Sequence, residues 1–153
     1  MQDKKNFDLL REETEQFYKS ISEVWCPYLH CTVRFTHGGW SHLFFKGNKH
    51  SRSTKEQCIR ARLLKTAVSV LSMSHTVQGI EVKRIFVTKR VNGRKEKVVA
   101  DTIYYEFIAV MNDWRTKVIV SKIENGTPIF WSVIPAWRTR DKNTVGVSSS
   151  SDP

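Results

Sequence analysis

The sequence predicts an α+β fold: two N-terminal helices, with an extended hairpin between them, packed on a four-stranded antiparallel meander. Three observations predict it. Apolar residues recur at helical spacing over 4–24 and again over 54–73. The second half breaks into β-rich runs separated by Asn92-Gly93, Asn112-Asp113 and Glu124-Asn125-Gly126. Finally, 153 residues at 40% apolar content suffice for one hydrophobic core. The expected organisation is a single α+β domain over 1–137 and a disordered tail over 138–153, where the Ser run 148–151 sits.

Each element has its own signal. Phe7, Leu10, Phe17, Ile21 and Val24 mark one face of the first helix, and Pro27 is expected to end it. From Leu29 to Lys46 the chain alternates around Gly38-Gly39, which predicts an extended hairpin closed by Gly47-Asn48. The second helix, from about Thr54 to Met73, opens with a capping box, Ser53 followed by Glu56. Its apolar face is Ile59, Leu63, Leu64, Ala67, Val70 and Leu71, yet Glu56 and Arg60 fall on that same stripe. An i,i+4 ion pair on the rim explains this placement, and so does an Arg60 aimed at a bound ligand. The four strands are expected at Ile80–Arg90, Lys97–Met111, Lys117–Ile123 and Pro128–Ile134.

Charge is unevenly distributed. Residues 25–100 carry fifteen Lys and Arg against three acids, whereas 1–24 hold four against six and 101–153 hold six against six. A basic block with His and aromatic residues inside it is expected where phosphates bind, so nucleic acid is the leading partner and an acidic inhibitor or antitoxin protein the second. Clustered carboxylates for Mg²⁺ are missing from the block, and there is no Walker A loop, G-x-G-x-x-G, H-E-x-x-H or G-x-S-x-G. No cofactor and no metal are therefore expected. Cys26, Cys31 and Cys58 are an odd set without a C-x-x-C pair, best read as free thiols in a reducing compartment. The polar N-terminus and the absence of a membrane-length apolar run predict a cytoplasmic protein that does not enter membranes.

Within the block, Phe35 to His50 reads F-T-H-G-G-W-S-H-L-F-F-K-G-N-K-H. His42 is the leading candidate for proton transfer, since histidine titrates near neutrality; His37 and His50 compete for the role. Lys46, Lys49, Arg52, Arg60 and Arg62 are candidate phosphate ligands, with Arg better suited than Lys to bidentate contact. Trp40, Tyr105 and Trp131 are candidate stacking residues for RNA bases. Ser132 is the one hydroxyl in the apolar strand I-F-W-S-V-I-P-A-W and needs a partner there. Strict alternation would place Trp131 and Ser132 on opposite faces.

The motifs F-T-H-G-G-W-S-H-L, K-V-I-V-S-K-I and P-I-F-W-S-V-I-P-A-W, in this order around a basic helix, resemble the barnase, EndoU, colicin-type and RelE-like ribonuclease superfamily, nearest its phage-associated branch. The resemblance spans 30–137. It implies a metal-independent endoribonuclease in which the RNA 2′-OH attacks the adjacent phosphate, acting as a toxin or mobile-element effector. It further implies that His42 is the family's histidine before the helix, Arg60 its helix-borne cation and Ser132 the polar residue of the last strand. The alternative is a basic nucleic-acid-binding protein or regulator without catalysis, which needs the positive face but not His42.

Overall fold

The structure, a computed structural model, describes residues 2–46, 50–111 and 113–138. Lys49, the Gly47-Asn48 turn and the tail beyond residue 138 lie outside these.

The architecture is α+β but differs from the expected meander. In chain order it runs α1 (Gln2–Ile21), β1 (Glu23–Cys26), β2 (Cys31–Arg34), α2 (His37–Phe44), β3 (Phe45–Lys46), β4 (His50–Ser51), α3 (Thr54–Arg62), α4 (Leu64–Met73), β5 (Gly79–Val91), β6 (Arg94–Met111), β7 (Trp114–Ile123) and β8 (Ile129–Arg138). Six strands form one mixed sheet in the order β1-β2-β8-β7-β6-β5, and β3 pairs with β4 apart from it. The prediction of two helices on a four-stranded antiparallel sheet is thus overturned on both counts.

Three local features explain the difference. First, α1 stops at Ser22, whose left-handed φ of 57° turns the chain before Pro27 is reached, leaving Glu23–Cys26 free to pair with Cys31–Arg34. Arg34 then meets Ile129 in parallel, so a strand from the N-terminal half is stitched beside the last one. Second, Gly38-Gly39 is not a hairpin turn but part of α2, where Trp40, Leu43 and Phe44 supply the i, i+3, i+4 apolar spacing. Gly39 is required by packing: a Cβ there would come 2.5 Å from the Phe130 carbonyl oxygen and 2.6 Å from the Tyr18 hydroxyl. Third, the expected helix 54–73 breaks at Leu63 into α3 and α4. At its start the Ser53 hydroxyl accepts from the Glu56 N–H at 3.2 Å, as a helix cap should.

The main core lies between the helices and one face of the sheet. It contains Leu43 and Phe44 of α2, Leu64, Ala67, Val70 and Leu71 of α4, and Phe107, Val118, Val120, Phe130 and Val133 of the strands. On the opposite face Tyr104, Ile119 and Ile134 form a smaller cluster, with Trp131 packed against it. The Asn92-Gly93 hairpin has both residues at positive φ, 52° and 79°, as a two-residue turn matching strand twist demands.

Candidate functional site

The site is built where α2 and α3 meet β8. α2 presents Trp40 and Phe44 toward the core side and His42 about 200° away, a consequence of the 100° step per residue. The Arg52 backbone N–H donates to the Phe44 carbonyl at 2.8 Å, holding the segment that leads into α3 against the end of α2. Its side chain turns back: Nε donates to the His42 carbonyl at 3.0 Å, and Nη2 lies 3.3 Å from His42 Nδ1. Guanidinium can only donate, so Nδ1 accepts and the neutral His42 ring carries its proton on Nε2.

From Arg52 the network continues into the interior. Glu56 Oε1 receives Arg52 Nη1 at 3.2 Å and lies 3.6 Å from Arg60 Nη2. Arg60 Nη1 in turn donates to Ser132 Oγ at 2.8 Å, across 72 positions of sequence. Arg60 is only 2% exposed and Ser132 not at all. Burial pushes the Arg60 pKa down to about 10, with repulsion from Arg52 adding to the fall and Glu56 opposing it. Arg60 Nε is buried without a partner. The Glu56–Arg60 pair on the apolar stripe is therefore an i,i+4 pair at the rim, with Arg60 buried and Glu56 part-exposed, and the hydroxyl of β8 gives the buried guanidinium a further acceptor.

Trp131 completes the cluster. Its ring lies 4.9 Å from that of His42, tilted by 41°, and 6.3 Å from Tyr104 in an edge-on contact. Its indole N–H is buried without an acceptor. That Trp131 and Ser132 both reach this cluster is the work of a β-bulge. Ser132 is registered with Ile119 and Phe130 with Val120, leaving Trp131 as the extra residue.

The sequence candidates thus divide. His42, Arg52, Arg60, Trp131 and Ser132 are brought together. Trp40 is not among them; it packs on Tyr18 and Phe44 at 5.4 and 4.7 Å. Arg62 projects from the far side of α3 into a cleft shared with Phe17 of α1. Tyr105 lies on the helix-facing side of β6 against Tyr28 and Phe107, so it is Tyr104, its neighbour, that faces Trp131. Lys46 is exposed on β3, paired with His50 on β4. Sequence reasoning missed Glu56 as a member joining two arginines, although its position four residues from each of Arg52 and Arg60 was the available signal.

A separate cleft of about 560 Å³ opens between α1 and α2, lined by Glu15, Tyr18, Lys19, Arg34, His37 and Trp40 among others. It takes in none of the His42 cluster. Among the described residues no three His, Cys, Asp or Glu are grouped as metal ligands, and no helix is long and apolar enough to cross a membrane. Comparison with protein-family models, curated proteins and solved structures returns no match.

Proposed function

We propose that the protein is a metal-independent endoribonuclease centred on His42. The observation that carries the reading is the continuous chain from His42 through Arg52, Glu56 and Arg60 to Ser132, with the Trp131 ring tilted against His42 at its outer end. The basic block favours a polyanion, and the resemblance described above favours RNA among phosphodiesters.

In this mechanism an incoming phosphodiester draws Arg52 away from His42, since an arginine fork suits a phosphate better than an imidazole nitrogen. His42 Nδ1, freed as a base, takes the proton of the ribose 2′-OH. The 2′-oxygen forms a bond to phosphorus as the bond from phosphorus to the 5′-oxygen breaks. The departing 5′-oxygen takes a proton from water to become a 5′-hydroxyl, and the other product ends in a 2′,3′-cyclic phosphate. Arg52 stabilises the extra charge on the phosphoryl oxygens. Trp131, part-exposed beside His42, offers a stacking face to the nucleotide. Arg52 is as closed from solvent as Arg60 and Ser132, so it meets a phosphate only by swinging out from His42, while Arg60, anchored by Ser132, positions Glu56 behind it.

The test is incubation of purified protein with total RNA in EDTA, beside His42→Ala, read on a denaturing gel. Fragments ending in cyclic phosphate from the wild type alone support the reading. Intact RNA in both lanes, with a salt-sensitive shift on a native gel, overturns it in favour of a binding protein without catalysis. That second reading draws on one specific observation, the closure of Arg60 and Ser132 from solvent.

A further inference from the structure

The sheet does not end where its six strands do. β7 pairs with β6 only from Thr102 to Met111, whereas β5 and β6 stay paired for eight further residue pairs, Arg84↔Asp101 to Val91↔Arg94. At about 3.3 Å per residue, this two-stranded arm extends roughly 26 Å past the sheet. It carries six Lys and Arg against two acids.

One face of the arm is unusual. Residues directly opposed in the ladder share a face, so Phe86↔Val99, Thr88↔Lys97 and Arg90↔Lys95 form one surface. Phe86 is 75% exposed and Val99 54%. Arg84 is paired with Asp101, but among the described residues Arg90, Lys95 and Lys97 make no ion pair. Like charges directly opposed, as in Arg90↔Lys95, destabilise a ladder. Charges on an open strand edge discourage pairing with other chains, and that need accounts for some of the lysines. It does not account for an exposed phenylalanine beside them, which works the opposite way. An aromatic ring flanked by unpaired cations is what a strand of unpaired nucleotides requires: a face for a base and charges for its phosphates.

We propose that the β5–β6 arm is a docking surface for single-stranded RNA, with Phe86 as the stacking platform and Arg90, Lys95 and Lys97 as phosphate contacts. The proposal rests on the endoribonuclease reading only in taking RNA as the polymer; no step at His42 is needed for it.

The experiment measures binding of a fluorescent 2′-O-methyl RNA of about twelve nucleotides, too short and unstructured to pair, by anisotropy. Lacking a free 2′-OH, this strand is not a substrate. Phe86→Ala is expected to weaken binding about tenfold. Arg90→Ser with Lys95→Ser is expected to weaken it and to lower the slope of log affinity against log salt by about 1.4, two phosphate contacts' worth. Thermal midpoints should not fall in either variant, because Phe86 is exposed and the serine pair removes a repulsion. Wild-type affinity and salt slope in both variants overturn the proposal. So does a change in oligomeric state on Phe86→Ala with RNA binding untouched, which would mark a contact between protein copies. Cleavage of ordinary RNA is scored separately. Failure to cut with binding retained refutes only the His42 reading, whereas normal cutting with unaltered binding in the variants refutes only the arm.

Discussion

Ser132→Ala decides whether Arg60 is an interior structural ion or a loose ligand awaiting phosphate. Arg60 donates to Ser132 at 2.8 Å with both side chains out of contact with solvent. A buried hydrogen bond to a charged group contributes about 1.5–3 kcal/mol. Arg60 Nε already lacks a partner, so alanine at 132 leaves the guanidinium with Glu56 at 3.6 Å as its remaining anchor. The variant should lose about 2 kcal/mol of unfolding free energy. Arg60→Met is a different perturbation. The lowering of the Arg60 pKa to about 10, chiefly by burial, means that its surroundings weigh against the charged form by about 3 kcal/mol, and methionine removes that penalty. It also strands the Ser132 hydroxyl, at a cost of about 1–3 kcal/mol. The two effects oppose, and the net change should be small.

In the double variant neither partner is left stranded. Its loss should therefore fall short of the sum of the single losses by at least about 1 kcal/mol, the mark of residues in direct contact. Urea unfolding followed by tryptophan fluorescence measures all four proteins, with a common denaturant slope required for the comparison. A Ser132→Ala change within about 0.5 kcal/mol of wild type would refute the reasoning, as would strict additivity. Either result would mean that Arg60 is not held as the structure has it and is free to meet a ligand.

Other consequences follow from packing and titration. Gly39→Ala should destabilise by about 1–2 kcal/mol despite the helix preference for alanine, because α2 must move off Phe130 to admit the methyl; a raised melting temperature would contradict the close approach. Burial holds the Tyr18 phenol well above its usual value, so above pH 10 the unfolded chain loses a proton that the native state keeps. Stability present below pH 10 should then fall by up to about 1.4 kcal/mol per pH unit, and Tyr18→Phe should flatten that fall in pH-dependent melts. Arg60, with its pKa lowered in the fold, acts in the opposite direction over the same range, so Arg60→Met should steepen the fall. Gly93→Ala meets no atom within 4 Å, so its expected cost of about 1 kcal/mol comes from the positive φ alone. Hydrogen exchange should locate that loss at the tip of the arm.

Local rules carried the long strands well and failed where contact is made over distance. Asn92-Gly93 announces its hairpin because both residues tolerate positive φ, and the strands on either side follow from alternation. Gly38-Gly39 announces the same thing and is a helix instead, since glycine also serves where backbones nearly touch. The short strand Cys31–Arg34 owes its place in the sheet to one parallel register with Ile129, a pairing no local pattern contains. The break at Leu63 has neither proline nor glycine to mark it. At the site, residue type was enough to single out His42, Arg52, Arg60, Trp131 and Ser132. Their arrangement was less legible: Arg60 and Ser132 are closed from solvent and bonded to each other, and Glu56 is the common partner of Arg52 and Arg60.

The instructive case is the pair Trp131 and Ser132. Period-two alternation sends consecutive residues to opposite faces, and on that rule one strand does not supply both to a single cluster. The register shift opposite Ile119 and Val120 suspends the rule for one residue. The same stretch of β8 is where α2 comes closest, with Gly39 against the Phe130 carbonyl one residue before the bulge. Helix approach and bulge are thus adjacent on the chain, and together they set the distance from the His42 ring to the Trp131 ring. A methyl at position 39 moves the helix, and a repaired register moves the tryptophan. Either change separates the two rings while leaving every residue of the cluster in the sequence, so the site depends on backbone placement as much as on side-chain identity.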